Sequence, residues 1–324
     1  MSRAVSAIQL GSAASYRMVE RVLAPLAPDE VRIRIAATGV SFADLLIAAG
    51  KYQVVPPLPY IPGTECAGIV EAVGSEVTDL APGAKVAARA FGGLFAEQAN
   101  LPRASVSEVP ANLELDEAAV MMLSYATAWH ALHQRGNLKR GETLLVLGCA
   151  GGTGHAAVQI GKYIGARVVG SASSEDKRAL ARKAGADAVI DSRSSTWRED
   201  LRAANEGRPI DVVFDPVGGS LSELAFRSLA WRGRHLVIGF TDGIASLRTN
   251  LPLLKGSSLV GVDVRQFEKF EPAVFSENLA SILSLAAQGI LWPAIGQRFA
   301  LSNFAAAMDA VATGQIAGRI IINP

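Results

Sequence analysis

The sequence has little of what several classes of protein require. It contains two cysteines, Cys66 and Cys149, which cannot build a disulfide framework and are typical of a reducing compartment. Its four histidines are scattered and, together with the two cysteines, show no zinc-ligand spacing. Lys and Arg number 31 against 30 Asp and Glu, a net charge of +1, so the chain lacks the basic excess of nucleic-acid-binding proteins.

Long uninterrupted apolar runs are also scarce. The first residues lack the apolar core of a signal peptide. Residues 143–161 form a 19-residue stretch without charge, but five glycines interrupt it. This stretch predicts a buried strand, a glycine turn and a buried helix rather than a helix that spans a membrane. We therefore expect a cytoplasmic protein with no membrane or nucleic-acid partner.

What the chain does have is enough apolar sequence for two domains: it is 324 residues long and 50% hydrophobic. Residues 1–118 are strand-like, and VRIRIAATGV shows the two-residue alternation of a strand. Residues 119–264 begin with a helical segment, AAVMMLSYATAWHALHQ, and then alternate apolar strands with helices. This pattern predicts an α/β protein with a doubly wound parallel sheet. We expect residues 265–324 to return and complete the first, mainly β domain.

The strongest local pattern is the segment TLLVLGCAGGTGHAAVQIG, which predicts a strand, a glycine turn and a helix. Glycines let backbone N–H groups approach a pyrophosphate, and the positive end of the helix dipole then faces the phosphates. In this context the turn predicts a dinucleotide site. Its residues are Gly148, Gly151, Gly152, Thr153 and Gly154.

The end of the second strand indicates which dinucleotide binds. Sites specific for NAD place an acid there for the ribose 2′-hydroxyl, and that acid would repel a 2′-phosphate. Here the first acid is Glu175, whereas Ser173, Ser174 and Lys177 offer hydroxyls and a cation. The segment therefore favours NADPH, although Lys177 and Arg178 also suit a solvated helix face.

Several spaced segments carry a family resemblance: GVSFADLLIAAGKYQVVPPLPYIPGTECAGIVEAVGSEVTDLAPGAKV, LSYATAWHAL, LGCAGGTG, FDPVGG, GRHLVIGF and GRIII. Over essentially its whole length the chain resembles the medium-chain dehydrogenase/reductase superfamily, and within it the zinc-free NADPH:quinone oxidoreductase (zeta-crystallin-like) branch. The resemblance implies a GroES-like mainly β catalytic domain, a Rossmann domain and an active site in the cleft between them. It also implies a homodimer formed through an edge strand, here SSLVGVDV.

The resemblance assigns roles to individual residues. Ser41 and Thr64 stand where zinc-dependent relatives have a Cys and a His, which implies a metal-free site. Tyr52 matches a tyrosine that points toward the substrate, and Ser41 stands where the branch commonly has a substrate-pocket Asn. The branch often has a Tyr beside the 2′-phosphate where this chain has Ser192, so we expect Arg193 to supply part of that site. The remaining cofactor residues that the resemblance implies are Thr127, Lys177, Val237, Ile238, Gly239, Phe240 and Arg319.

Structural interpretations remain open for the substrate-side residues. Ser41 and Asp44 also form the pattern of a capping box for the helix FADLLIAAG, and Tyr52 also suits an aromatic residue at a wet interface. The leading functional hypothesis is hydride transfer from NADPH to a quinone or another electron-poor acceptor. The alternatives are reduction of an enone, enal or enoyl thioester, and a non-catalytic role in NADPH binding.

Overall fold

The computed structural model describes residues 1–11 and 13–324 and divides into two compact units. The first unit is Met1–Leu123 with Pro293–Pro324, and the second is Ser124–Trp292. The sequence predicted boundaries after residues 118 and 264. In the structure the units divide after residues 123 and 292. Strands and helices are numbered here in chain order through both units.

The first unit is built mainly from one seven-stranded sheet with the order β14-β15-β3-β4-β5-β7, in which β6 also pairs with β3. In β3, Val31, Ile33 and Ile35 are buried, as their alternation with polar residues predicted. The strands of this unit are β1 (Ser2–Ser6), β2 (Arg17–Arg21), β3 (Glu30–Val40), β4 (Glu65–Val73), β5 (Lys85–Arg89), β6 (Gln98–Pro102), β7 (Val106–Glu108), β14 (Ile295–Ala300) and β15 (Arg319–Asn323). Its α-helices are α1 (Phe42–Ala48), α2 (Leu115–Ala118) and α11 (Phe304–Thr313).

The second unit has a six-stranded parallel sheet with the order β10-β9-β8-β11-β12-β13. This is the Rossmann order, in which the two halves meet between β8 and β11, and it confirms the predicted doubly wound sheet. The strands are β8 (Thr143–Leu147), β9 (Arg167–Ala172), β10 (Ala188–Asp191), β11 (Ile210–Asp215), β12 (Leu229–Val237) and β13 (Ser258–Gly261). The helices are α3 (Ser124–His130), α4 (Gly152–Ile164), α5 (Glu175–Lys183), α6 (Trp197–Ala204), α7 (Gly219–Arg227), α8 (Asn250–Lys255), α9 (Val264–Phe270) and α10 (Pro272–Ala287).

The uncharged stretch at residues 143–161 forms β8, the glycine turn and most of α4, as the sequence predicted. Every residue of β8 is buried, which explains why the strand is a continuous apolar run. Over the part of the chain that the structure describes, no helix is both long and apolar enough to cross a membrane.

The helix expected through AAVMMLSYATAWHALHQ is interrupted, so that prediction is wrong as a single element. It divides into α2, a turn at residues 119–123, α3 and a π-helical segment, Ala131–Arg135. At the end of the turn the Leu123 N–H donates to the buried Glu65 carboxylate at 3.0 Å. This turn thus makes a tertiary hydrogen bond, and the two units divide there.

The second unit extends beyond residue 264 because α9, α10 and the segment after them pack on its first helices. The Phe267 ring stacks on His130 with centroids 3.8 Å apart, and Asn278 Oδ1 accepts a hydrogen bond from Gln134 at 3.2 Å. Farther along, the Trp292 carbonyl accepts a hydrogen bond from Gln159 Nε2 of α4 at 2.9 Å. These contacts join residues 265–292 to the parallel-sheet unit.

Candidate functional site

The glycine turn leaves β8 at Gly148, whose φ of +59° is in the left-handed region. The Gly151 N–H donates to the Gly148 carbonyl at 3.0 Å, and α4 begins at Gly152 without a side-chain cap on Gly151. A Cβ at Gly154 would lie 2.2 Å from the Gly148 oxygen, so the helix packs against the turn at a distance that only glycine allows.

At Gly151, unlike at Gly154, the position that a Cβ would occupy faces open space. A Cβ built there meets one atom within 4 Å, the Gly148 oxygen at 3.5 Å. The first-turn N–H groups of α4 have no partners within the helix and carry the positive end of its dipole. An open space before uncapped helical N–H groups fits the pyrophosphate of a dinucleotide.

The cysteine of this turn is not suited to redox chemistry. Cys149 is fully buried, and this burial raises the pKa of its thiol to about 12. Cys66 is buried in β4, and burial likewise raises its pKa to about 12. Both thiols are therefore protonated at neutral pH.

At the end of the next strand, β9, the predicted phosphate residues lie together. The Lys177 ammonium is 3.5 Å from the Ser173 hydroxyl, and Ser174 caps α5 by accepting from the Lys177 N–H at 3.4 Å. Burial lowers the pKa of Lys177, and the positive charge of Arg193 lowers it further. The Arg193 side chain is 70% exposed, and its Nε lies 3.7 Å from Asp191 Oδ1. A lysine ammonium beside a hydroxyl group suits an anion such as a phosphate.

Arg178, the alternative cation of this helix, is occupied by structural contacts. Its guanidinium is 3.1 Å from Asp191 and 3.0 Å from Glu175, and it donates to the Ala172 carbonyl at 3.2 Å. The side chain is 16% exposed. Lys177 is therefore the better candidate for a phosphate ligand.

The loop after β12 lies at the same carboxyl edge of the sheet. The Ile238 N–H donates to the Asp215 carbonyl at 2.9 Å, and a Cβ at Gly239 would lie 3.1 Å from the Pro216 oxygen. A Cβ at Gly148 would lie 3.0 Å from Val217, so the glycine turn and the β11 end are in contact. The predicted residues at this edge, beside the switch point of the sheet, are Gly148, Gly151, Gly152, Thr153, Gly154, Ser173, Ser174, Lys177, Val237, Ile238, Gly239 and Phe240.

Sequence reasoning missed the buried group that supports this edge. Asp215 Oδ1 accepts from the Val217 and Gly218 N–H groups at 2.9 Å each, and Oδ2 accepts from Ser222 and lies 2.9 Å from His235 Nε2. Burial would raise the pKa of Asp215, but the hydrogen bonds from His235 and Ser222 outweigh it and hold that pKa below its ordinary value. An acid at the end of an apolar strand was the signal available in the sequence.

Two of the predicted cofactor residues are on other elements. Thr127 lies on α3, a helix that packs against α4. Arg319 is in the first unit, where its Nη2 is 2.5 Å from the carboxylate of the fully buried Glu65. Burial raises the pKa of Glu65, and the Arg319 guanidinium opposes that shift. The Arg319 guanidinium therefore forms a buried ion pair, and its contact with the cofactor stays a prediction.

Ser41, Asp44 and Thr64 meet at the start of α1. Ser41 caps this helix, and Asp44 completes the predicted capping box by accepting from the Ser41 N–H at 2.8 Å. The Ser41 hydroxyl is 2.7 Å from Asp44 Oδ2 and 3.5 Å from the Thr64 hydroxyl. Burial raises the pKa of Asp44, against the hydrogen bonds from Ser41. Tyr52 is partly buried, and its ring centroid is 5.9 Å from that of Phe91.

Ser41 and Thr64 present oxygen atoms at the positions where zinc-dependent relatives carry ligands. In the described ranges, 1–11 and 13–324, no three His, Cys, Asp or Glu side chains are grouped so that they could hold a metal ion. Hydroxyl groups can donate to and accept from an oxygen-bearing substrate.

Comparison with known proteins agrees with both units. Residues 27–111 match the alcohol dehydrogenase GroES-like domain, and residues 152–279 match the zinc-binding dehydrogenase family. The chain is 33% identical to quinone oxidoreductase-like protein 2 of Rattus norvegicus, over 92% of this chain and 86% of that protein. It is 34% identical to a phenolphthiocerol/phthiocerol polyketide synthase of Mycobacterium tuberculosis, over 91% of this chain and 14% of that protein.

Among solved structures, the Escherichia coli quinone oxidoreductase complexed with NADPH superimposes with a TM-score of 0.92. The identity is 26%, and the alignment covers 100% of both chains. The mainly β unit is thus the GroES-like domain that the resemblance implied, and the parallel-sheet unit is the Rossmann domain. The chain belongs to the medium-chain dehydrogenase/reductase superfamily and is an oxidoreductase of its quinone oxidoreductase-like branch.

Proposed function

We propose that the protein transfers a hydride from NADPH to a quinone or another electron-poor acceptor without a catalytic metal. The observation that carries the proposal is the carboxyl edge of the parallel sheet. There the open glycine turn lies beside Ser173 and Lys177, with no acid at the ribose position. The NADPH complex of the Escherichia coli relative supports the same cofactor.

When it is bound, NADPH supplies the hydride. The turn from Gly148 to Gly154 would hold the pyrophosphate through backbone N–H groups. Lys177 and Arg193, with Ser173, would hold the 2′-phosphate through charge-assisted hydrogen bonds. Thr127 and the loop of Val237, Ile238, Gly239 and Phe240 would border the nicotinamide half.

On the acceptor side, Tyr52 would bind the oxygen that gains negative charge as the hydride arrives, and Ser41 would line the substrate pocket beside it. The Tyr52 hydroxyl can donate a hydrogen bond to that oxygen without a metal, whereas the Ser41 hydroxyl donates its proton to Asp44 Oδ2. Asp44 holds the Ser41 hydroxyl at 2.7 Å and so orients it. Ser41 therefore serves both as the cap of α1 and, in this proposal, as a substrate contact.

A second candidate is reduction of an enoyl thioester, which the similarity to a segment of the mycobacterial polyketide synthase favours.

To test both, NADPH oxidation is followed with benzoquinones, naphthoquinones, enals and enoyl-CoA esters, before and after treatment with a chelator. We expect quinone reduction that the chelator leaves unchanged. Turnover of enoyl-CoA alone would favour the second candidate, and no turnover with any acceptor would indicate a non-catalytic NADPH-binding protein. One equivalent of zinc, with activity lost on its removal, would contradict the metal-free site.

The cofactor preference can be tested at Lys177. Since a charge-assisted hydrogen bond contributes about 1.5–3 kcal/mol and this site faces solvent, Lys177→Ala should weaken NADPH binding by roughly tenfold. NADH binding should change little, because NADH has no 2′-phosphate. Dissociation constants from fluorescence titration give both values. Lys183→Ala is the matched control, since Lys183 is on the same helix but its ammonium lies 5.1 Å from the Trp292 ring centroid. Equal losses for both cofactors in Lys177→Ala would refute the assignment.

We further propose that the protein is a homodimer that pairs through β13. This strand is the edge of the parallel sheet, and its Leu259 side chain is 52% exposed. An exposed edge strand offers unpaired backbone groups to a second copy, and a lysine there opposes such pairing. Leu259→Lys should therefore convert the dimer to a monomer in analytical ultracentrifugation, whereas Ile8→Lys, at an exposed apolar residue of the first unit, should remain dimeric. A wild-type monomer would contradict the proposal.

A further inference from the structure

Asp215, the last residue of β11, is a buried carboxylate whose two oxygens are both fully hydrogen-bonded. It is 3% exposed. Its Oδ1 accepts from the Val217 and Gly218 N–H groups at 2.9 Å each, and its Oδ2 accepts from the Ser222 hydroxyl and lies 2.9 Å from His235 Nε2. A buried charge is tolerated where hydrogen bonds surround it in this way. Here those bonds fix the turn through Val217 and Gly218, which we name the β11 turn.

The β11 turn is bonded through its backbone to residues 238–243, which we name the β12 loop. At one end of the loop, the Ile238 N–H donates to the Asp215 carbonyl at 2.9 Å. At the other end, the Gly243 carbonyl accepts from the Gly219 N–H at 2.8 Å. The turn and the loop therefore form one hydrogen-bonded unit.

Close packing joins the same two segments. Gly218 has a φ of +74°, and a Cβ there would lie 2.2 Å from the Gly243 oxygen and 3.1 Å from the Phe240 Cα. On its other side the β11 turn meets the phosphate turn, since a Cβ at Gly148 would lie 3.0 Å from Val217. A displacement of the β11 turn would therefore displace the β12 loop, which has no space to stay in place.

We propose that Asp215 is a positioning residue, whose carboxylate holds the β12 loop so that the loop fixes the nicotinamide ring for hydride transfer. The inference rests on the proposed function, in which residues 237–240 border the nicotinamide half. Hydride transfer depends steeply on geometry, because the reacting atoms must be held about 3–3.5 Å apart. Asp215 would not touch the cofactor and would act through the backbone that it holds.

His235 explains why an amide cannot replace this carboxylate. His235 is 1% exposed, and its Nδ1 has no hydrogen-bond partner among the described residues. The ring can therefore donate only through Nε2, which a carboxylate accepts. In Asp215→Asn the new NH2 group would face Nε2 or Ser222, so either the ring proton moves to the unpartnered Nδ1 or two donors meet. A buried donor without an acceptor is costly, so this small change should loosen the β11 turn.

Hydrogen exchange followed by mass spectrometry measures the β12 loop in the free protein. In Asp215→Asn, peptides that cover residues 236–243 should exchange about tenfold faster than in the wild type, because their bonds open more often. Asp211→Asn is the matched control: Asp211 is also on β11, and its Oδ2 accepts from the Thr143 N–H at 2.8 Å at the other end of the strand. The control should leave exchange in the loop unchanged. Equal exchange in Asp215→Asn and the wild type would overturn the proposal.

If Asp215→Asn does not fold, Ser222→Ala replaces it in each measurement. This variant removes one donor to Oδ2 and leaves the carboxylate with its other partners. Exchange in the β12 loop should then increase in the same direction by a smaller factor. A Ser222→Ala protein whose loop exchanges as slowly as that of the wild type would count against the proposal.

Steady-state kinetics separates positioning from binding. With the acceptor that the wild type reduces best, kcat of Asp215→Asn should fall by about tenfold to a hundredfold, the cost of a misplacement of about 1 Å. The dissociation constant of NADPH should change by about twofold or less, because the phosphate turn and Lys177 keep their contacts. With NADPH deuterated at the transferred position, the isotope effect on kcat should be at least as large as in the wild type. A loss confined to NADPH affinity, with kcat unchanged, would overturn the positioning role.

Protection by NADPH distinguishes this inference from the proposed function, since it requires no turnover. NADPH should slow exchange of residues 236–243 in the wild type and slow it less in Asp215→Asn. If the wild type reduces no acceptor but shows this difference, the proposed function fails and the positioning of the ring by Asp215 stands. A wild-type loop that NADPH does not protect would overturn the inference, because the loop would then lie away from the cofactor.

Discussion

Replacing Arg319 by methionine should lower the free energy of unfolding by about 3–5 kcal/mol, because it leaves the Glu65 carboxylate buried without its cation. Glu65 is fully buried and also accepts from the Leu123 N–H, so the carboxylate cannot turn toward water. The loss should depend on pH. Burial raises the pKa of Glu65, and the Arg319 guanidinium opposes that shift. Without the guanidinium, the pKa of Glu65 should therefore be higher still in the variant. Protonated Glu65 costs little to bury, so the variant should be most stable at acid pH and lose stability as the pH rises through the pKa of Glu65.

Urea unfolding of Arg319→Met between acid and neutral pH measures this effect. The control is Arg298→Met, which removes a surface ion pair with Asp116 at 2.7 Å in the same unit. An exposed pair contributes about 0–1 kcal/mol, so the control should be nearly as stable as the wild type. Similar losses in the two variants, or a loss in Arg319→Met that does not change with pH, would show that the buried pair is not the cause.

The two glycines of the phosphate turn should respond to alanine in different ways. In Gly154→Ala the new Cβ would lie 2.2 Å from the Gly148 oxygen, so the turn must open. We expect a loss of about 1–3 kcal/mol in the free energy of unfolding, together with NADPH binding weakened by more than tenfold. Gly151 has a φ of −78°, which alanine adopts, and open space before it. Gly151→Ala should therefore keep the stability of the free protein.

In Gly151→Ala the added methyl group would occupy the space that we assign to the pyrophosphate, so NADPH binding should still weaken by tenfold or more. Thermal unfolding of the free proteins and NADPH titration separate the two effects. Unchanged NADPH affinity in Gly151→Ala would mean that the pyrophosphate does not bind in front of this helix.

The elements of the parallel sheet could be predicted from the sequence because each is specified locally. The continuous apolar run of β8 requires burial on both faces, and the glycines after it permit a turn that few other residues allow. Capping of α1 by Ser41 and Asp44 was equally predictable, since both partners lie within one turn. Local sequence sufficed wherever local contacts decide the structure.

What the sequence did not predict depends on contacts between distant residues. The interruption at residues 119–123 depends on Glu65, which is 58 residues from Leu123. The extension of the second unit to Trp292 depends on Gln159, at a separation of 133 residues. The pairing of Arg319 with Glu65 spans 254 residues, and the motif near the end of the chain gave no sign of that partner. The spacing of apolar and polar residues within one segment does not reveal partners that lie far away in the chain.

The discontinuous first unit has a consequence for how the chain folds during synthesis. Strand β3 pairs with β15, with Val40 opposite Ile320, and Glu65 pairs with Arg319 across nearly the same length of chain. Residues 124–292 are contiguous and can fold as a unit as soon as they leave the ribosome. One edge of β3 must meanwhile stay without β15, and an unpaired edge is prone to pair with the wrong strand. We expect the parallel-sheet unit to become resistant to protease first on stalled nascent chains, and the first unit only after β15 has emerged.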